Sequence, residues 1–319
     1  MFQYVYQVTK YDPDDYDERG HYAGPEDVMS DHGPVEAAYL AAVAVFAEHL
    51  GVTELTIREP GITGFVNFGL EAPIPGYGLA GLFPPDLTGF HDGARAPVAT
   101  AQALVRVMLR DNGAWCRLEV DGRLGIQIDY DQYMHVGLAE PCDEALTRVE
   151  ALGLFPWLVD GERRGLWPED LSRPRAADDE FWAEVDRLVV DRGSVMLEER
   201  YIGNGTRWRR LLAADVNRIR ATLGPRSELF VWPEFNDDVV AELRTLEEHD
   251  FAVVVWEDRD GRITELRAGD DDYPTVVVHL AKAKSAMVLS NVYGVSKPLL
   301  AAVLPDDDGV VRVRWSDQC

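Results

Sequence analysis

The chain has 319 residues and a formal charge of −25, from 56 Asp and Glu against 31 Lys and Arg. A field of that sign repels nucleic acid and anionic membrane as a whole and favours a basic partner. With 46% hydrophobic residues at this length, the chain holds more apolar material than one core usually organises, so two domains are expected.

Phe2 to Thr9 alternates as a strand, which Pro13 and the acids after it terminate. The text "SDHGPVEAAYLAAVAVFAEHLG" predicts a helix with Gly33 at the N-cap, Pro34 at the first helical position and Gly51 as its stop. "TELTIRE" is then a short strand, residues 61–97 form a Gly/Pro-rich connection too long for a passive loop, and a second helix covers 98–109. In "WCRLEVDGRLGIQIDYDQYMHVGL" two alternating runs flank Asp121-Gly122, a dipeptide suited to a type I′ turn, and a third strand over 133–138 extends the hairpin. A short helix over 141–152 leads into a stretch broken by Pro156, Pro168 and Pro174.

Beyond Asp178 the pattern restarts with the amphipathic "DEFWAEVDRLVVD" and the strand "SVMLEERYI". "GNGTRW" at 203–208 lacks the Gly-Lys-Ser/Thr ending and third glycine of phosphate-binding loops and reads as a tight hairpin loop. A helix over "LAADVNRIRATLG", a strand over "ELFVWPEF" and a helix over "NDDVVAELRTLEEHD" follow, the last with Asn236 or Asp237 as its cap. Two strands around Asp260-Gly261 and a further strand "TVVVHL" come next. Helix, strand, Asp-Gly-Arg turn and more strand therefore recur at 98–138 and 237–280, the pattern of a divergent duplication. The fold class expected is α+β, with domains at 1–157 and 178–319 joined by a linker over 158–177, each an antiparallel sheet with helices packed on one face.

Cys116, Cys142 and Cys319 are odd in number and have no C-x-x-C spacing, which excludes a disulfide framework and a zinc knuckle. Cys142, just before a helix, has the placement that depresses a thiol pKa, although no catalytic frame surrounds it. No charged-then-apolar leader and no membrane-length apolar run are present, so the expectation is a cytoplasmic, soluble chain with no membrane partner.

Three surfaces carry candidate chemistry. Asp14, Asp15, Tyr16 and Asp17 combine carboxylates, which steer association, with tyrosine, which supplies rigid contact area, and suit a basic protein. Arg207, Trp208, Arg209 and Arg210 lie within an arginine-rich run from Arg200 to Arg226, where guanidinium planes beside aromatics suit phosphates and bases; the competing reading is pairing with the chain's own acids. His21, His32, His91 and Asp92 fall in loops and pair imidazole with carboxylate, which suits Zn, Fe or Mn, although no H-x-x-x-H spacing occurs.

"YQVTKYDP" followed by "DERGHY", and later "WCRLEV" and "YDQYMHVG", resembles a family of actinobacterial proteins that begin Y-x-V-T-K-Y-D-P. The resemblance covers about the first 150 residues and implies no active residues; some members carry an RNA-binding label, but no RRM, KH or cold-shock motif stands in this chain. The function expected is a non-enzymatic acidic protein-binding module of inhibitor or immunity type, with no cofactor and a basic protein partner. RNA binding through the arginine run and a metal-dependent enzyme at the histidine loops are the alternatives.

Overall fold

The computed structural model describes residues 2–24, 29–67, 78–85, 87–129, 131–159, 175–246, 251–290 and 296–312. The chain divides into two compact units, Met1–Thr63 with Ile74–Ser172 and Gly64–Pro73 with Arg173–Val313, and the last of these changes of unit lies in the stretch 158–177. Most of that stretch lies outside the described residues, as do Cys319, Pro168 and Pro174. No described helix is long and apolar enough to cross a membrane.

In the first unit β1 (Tyr4–Thr9), α1 (Gly33–His49), β2 (Glu54–Asn67), β3 (Arg95–Pro97), α2 (Val98–Leu109), β4 (Ala114–Val120), β5 (Leu124–Ile128), β6 (Met134–Leu138), α3 (Asp143–Glu150) and β7 (Phe155–Leu158) follow one another. The strands lie in the order β2-β4-β5-β6-β1-β7, with β3 paired to β2. Alternation divides the sheet cleanly. Val8, Ile57, Cys116, Leu118, Ile126, Ile128, Met134 and Val136 turn to one face and are fully buried, on the side where α2 meets β4 and β5 and α1 meets β5. Burying each such side chain contributes about 1.5–3 kcal/mol. Glu36 of α1 joins the two helices by accepting from Arg106 of α2 and from Arg110 at its C-cap.

Two sequence expectations change here. The strand after Thr53 does not end at Glu59 but runs on to Asn67, passing a bulge between Arg58 and Gly61. Asp121-Gly122 does not form a type I′ turn: Val120 pairs with Leu124 around a three-residue loop in which Gly122 has φ +67° and Asp121 does not enter the left-handed region. The odd residue count lets one glycine absorb the reversal.

The second unit is built in four layers, from α4 (Asp179–Arg192), β8 (Val195–Leu211), α5 (Val216–Arg220), β9 (Glu228–Trp232), α6 (Val239–Leu246), β10 (Phe251–Glu257), β11 (Ile263–Gly269), α7 (Tyr273–Leu280), β12 (Ser285–Ser290) and β13 (Leu300–Val303). Its strands form two sheets, β13-β9-β8 and β11-β10-β12. Phe181, Val185 and Val189 of α4 and Val216 and Ile219 of α5 pack on Leu197, Leu211, Leu229 and Val231 of the first sheet. The other face of that sheet gives Met196, Trp208 and Trp232 to a core shared with Val255, Met287 and Leu289 of the second sheet. Val276 and Leu280 of α7 cover the far side, against Val254, Trp256 and Val288. Asp178 caps α4 by accepting from Phe181 N at 3.0 Å. Asp238, rather than Asn236 or Asp237, accepts from Ala241 N at the start of α6.

"GNGTRW" is not a hairpin loop but the middle of the 17-residue β8, where Asn204 takes φ +63°. "TVVVHL" is helical in α7 rather than a strand. The strand that completes the second sheet is β12, which pairs with β10, whereas β6 pairs with β5. The two stretches thus differ in pairing order, and the duplication reading falls.

Candidate functional site

The acidic opening is an ordered loop. Asp12 Oδ1 accepts from Asp14 N at 2.9 Å, Asp17 Oδ1 accepts from Arg19 N and His21 N at 2.9 and 2.8 Å, and Tyr16 bridges to Tyr22. Tyr22 sits between Tyr11 and Tyr16, with ring centroids 4.6 and 5.3 Å away, and Tyr11 reaches Tyr133 at 6.1 Å. Around this aromatic cluster Asp14, Tyr16 and Asp17 are exposed and Asp15 is half-buried.

Of the histidines, His21 lies 3.5 Å from Asp17 and His32 lies 3.2 Å from Asp31, both near solvent, while His91 Nδ1 lies 3.0 Å from the Asp92 carbonyl. Among the described residues no group of three or more His, Cys, Asp or Glu side chains is placed to hold a metal ion. Cys116 is fully buried and its thiol is pushed up to about 12 by burial. Cys142, whose place before a helix suited a depressed pKa, instead has it raised, chiefly by burial and then by Glu140 and Asp143.

Arg207, Trp208, Arg209 and Arg210 are consecutive on a strand, so they alternate between its faces. Arg209 donates to Glu199 at 3.0 Å, and Arg207 lies 3.8 Å from the same carboxylate and over the Tyr201 ring. On the opposite face Trp208 Nε1 donates to Glu265 at 2.6 Å. Arg210 spans Glu234 and Glu257 with four hydrogen bonds, and those bonds, with Lys284 nearby, hold Glu257 down to about 2. Each of the three guanidiniums is thus engaged by the chain's own carboxylates.

Between the sheets of the second unit, Glu198 and Glu265 are both buried. Glu198 accepts from Trp232 Nε1 at 2.9 Å and from Arg200; Glu265 accepts from Trp208 and from Thr206 at 2.8 Å. Burial and the neighbouring Glu198 raise the pKa of Glu265.

The sequence reading passed over a second constellation. On the face of the first unit's sheet opposite its helices, Gln7 pairs with His135, His135 with Gln127 and Arg117 with Arg58. The β4–β5 register puts Arg117 beside Gln127. One row of polar side chains therefore crosses five strands. Gln7, His135, Arg117, Arg58 and the neighbouring Glu119 are all buried, each under 8% exposed, where alternation alone would put such residues in water.

The bulge in β2 supplies the row's acid. Glu59 has φ +47°, its N–H donates to Asp92 Oδ1 at 2.9 Å, and its carboxylate accepts from Arg117. Asp92 also lies 3.2 Å from Arg58 Nε, so this predicted metal ligand is a buried partner of arginine. Burial pushes Glu59 up to about 7, against the pull of Arg117, with Asp92 adding to the rise. At the other side of the row Asp129 Oδ2 lies 2.8 Å from His135 Nε2. Bulges that re-aim a side chain and carboxyls with raised pKa values are both features that gather at functional sites.

No protein-family model matches the chain, and neither a curated protein nor a solved structure is detectably similar to it.

Proposed function

We propose that this α+β protein is a non-enzymatic, acidic protein-binding module of inhibitor or immunity type, acting in the cytoplasm without a cofactor on a basic partner. The observation that carries the reading is the Asp12–Tyr22 loop, in which a packed tyrosine cluster presents Asp14, Asp15, Tyr16 and Asp17 as one preorganised surface. A contact surface that is already ordered loses less entropy on binding, and its carboxylates add the long-range attraction expected of a chain at −25. The internal engagement of Arg207, Arg209 and Arg210 favours this reading over RNA binding, because those cations already have partners.

The test is capture from native lysate at low salt, with and without nuclease, using wild type and the triple variant Asp14→Lys/Asp15→Lys/Asp17→Lys. A basic protein that survives nuclease, is released by about 0.5 M salt and is lost in the variant supports the proposal. Equal capture by both chains removes this surface from consideration. RNA that is lost in Arg207→Ala/Arg209→Ala/Arg210→Ala transfers the function to the second unit, and a stoichiometric metal in the purified protein transfers it to the His21, His32 and His91 loops.

A further inference from the structure

Two acids sit where the sheets of the second unit meet. Glu198 of β8 and Glu265 of β11 are 2% and 4% exposed, beside a contact made by Met196, Trp208, Trp232, Val255, Met287 and Leu289. They are held differently. Glu198 has a cation in bonding contact, because Arg200 donates to its Oε1, while Trp232 Nε1 donates to its Oε2 at 2.9 Å. Glu265 accepts both its bonds on Oε2, from Thr206 at 2.8 Å and from Trp208 at 2.6 Å, and both donors belong to β8 in the facing sheet. Its Oε1 faces Arg267 at 3.9 Å, beyond hydrogen-bond reach. Two carboxyls therefore share a space poor in water, where a second negative charge is costly. The other charges nearby have their own engagements. Glu228 of β9 acts on Arg200, while Glu257 of β10 and Glu234 after β9 are taken up by Arg210, with Lys284 also on Glu257. From β12 the facing residues are Met287 and Leu289.

We propose that Glu198 and Glu265 form one proton-binding site that locks β11 of the second sheet onto β8 of the first, and that loss of the proton loosens this contact. Glu265 is the member that holds the proton. Its pKa is raised, chiefly by burial and then by Glu198, and the bonds from Trp208 and Thr206 with the pull of Arg267 offset only part of the rise. Packed sheets therefore bind the proton more tightly than parted ones do. The lock is complete at low pH, where Glu265 is protonated in either arrangement, and it weakens as pH rises through the packed value. Once ionised, Glu265 is better placed in water, and leaving for water breaks its bonds from Thr206 and Trp208. Two residues further along β8, Arg210 holds Glu257 down to about 2, so that connection between the sheets does not respond over the same range. It is the pivot, and the loosening stays on the β11 side. The device is independent of the acidic loop and stands or falls by itself.

The indole N–H groups of Trp208 and Trp232 donate to the two acids, which makes them the probes. The full chain, isotope-labelled at its indole nitrogens, is titrated from about pH 5 to 9 by nuclear magnetic resonance, with Trp208→Phe and Trp232→Phe assigning the two signals. Both should titrate with one shared midpoint, whereas the indole of Trp182, bonded to the Ala177 carbonyl at 3.1 Å, should not move. Above the midpoint the Trp208 N–H should exchange with solvent at least about tenfold faster than base catalysis alone requires. Glu265→Gln keeps the shape and removes the titrating group, so it should abolish the titration and keep exchange slow. Glu198→Gln removes the neighbouring charge and should lower the Trp208 midpoint by about one pH unit or more. Four results would overturn the proposal: no titration of either indole, a titration that survives Glu265→Gln, a midpoint unmoved by Glu198→Gln, or exchange that follows base catalysis alone. Should Glu265→Gln fail to fold, the wild-type exchange and the Glu198→Gln midpoint decide.

Discussion

Glu59 shows what a single buried carboxyl does to the whole chain's pH response. Its pKa stands near 7 in the folded chain against an ordinary 4.5, chiefly through burial. The folded state therefore holds this proton more tightly than the unfolded state does. Its contribution is complete below about pH 4.5 and is lost as pH rises towards 7. Glu59→Gln should flatten that decline by an amount on the order of 1–3 kcal/mol, measured by urea unfolding at pH 5 and pH 8. An unchanged slope would mean that the carboxyl is more hydrated than its burial implies. Glu265 acts in the same direction, since burial and Glu198 also raise its pKa. At this scale the sequence was half legible. The alternation of Arg117, Glu119, Gln127 and His135 with apolar neighbours showed that they share a face, but period-2 patterning cannot distinguish a polar face in water from a polar face that is buried. Glu59 gave no signal, because it belongs to a bulge and bulges have no composition of their own.

Among the elements, α1 and α2 are joined through one acid. Glu36 is 6% exposed and accepts three hydrogen bonds from Arg106 and Arg110. Burial alone would raise its pKa, but the hydrogen bonds from the two arginines hold it below the usual carboxylate range. Glu36→Ala should lower the urea midpoint by about 1–3 kcal/mol in stability with an unchanged slope, since it removes a buried partner without altering the surface exposed on unfolding. Gly137 marks another contact: a Cβ there would stand 2.4 Å from Cδ2 of the Phe2 ring. Gly137→Ala should therefore displace Phe2 from its small cluster with Val5 and Val159. The cost is about 1–2 kcal/mol, and nuclear magnetic resonance shifts of the Phe2 ring would report it. Most elements of both units were readable from periodicity. Two misreadings share one cause. "TVVVHL" and "GNGTRW" carry strong local preferences, for strand and for turn, and tertiary packing overrode both: α7 buries Val276 and Leu280 against β10 and β12, and β8 continues because Thr206 and Trp208 are held by Glu265.

For the molecule as a whole, charge was the most legible property and its distribution the least. A surplus of 25 negative charges repels itself in the folded state. Raising salt from about 0.02 to 0.5 M should therefore raise the melting temperature, because the Debye length shrinks below the separation of the exposed acids. A fall in melting temperature would mean that screened ion pairs, such as those of Arg210 and Arg226, outweigh the self-repulsion. Composition could not show that the arginines near residue 207 are engaged internally, since one strand divides its neighbours between two layers.

That division sets a constraint on descent. Glu198 meets Trp232 between the two sheets, while Glu199, one residue on, meets Arg207, Arg209 and Ser227 on the helix side. Inserting or deleting one residue early in β8 exchanges those two acids and leaves each facing the other's partners. Kindred chains that share this architecture should therefore vary the length of this segment only in steps of two, or not at all, while its individual letters drift.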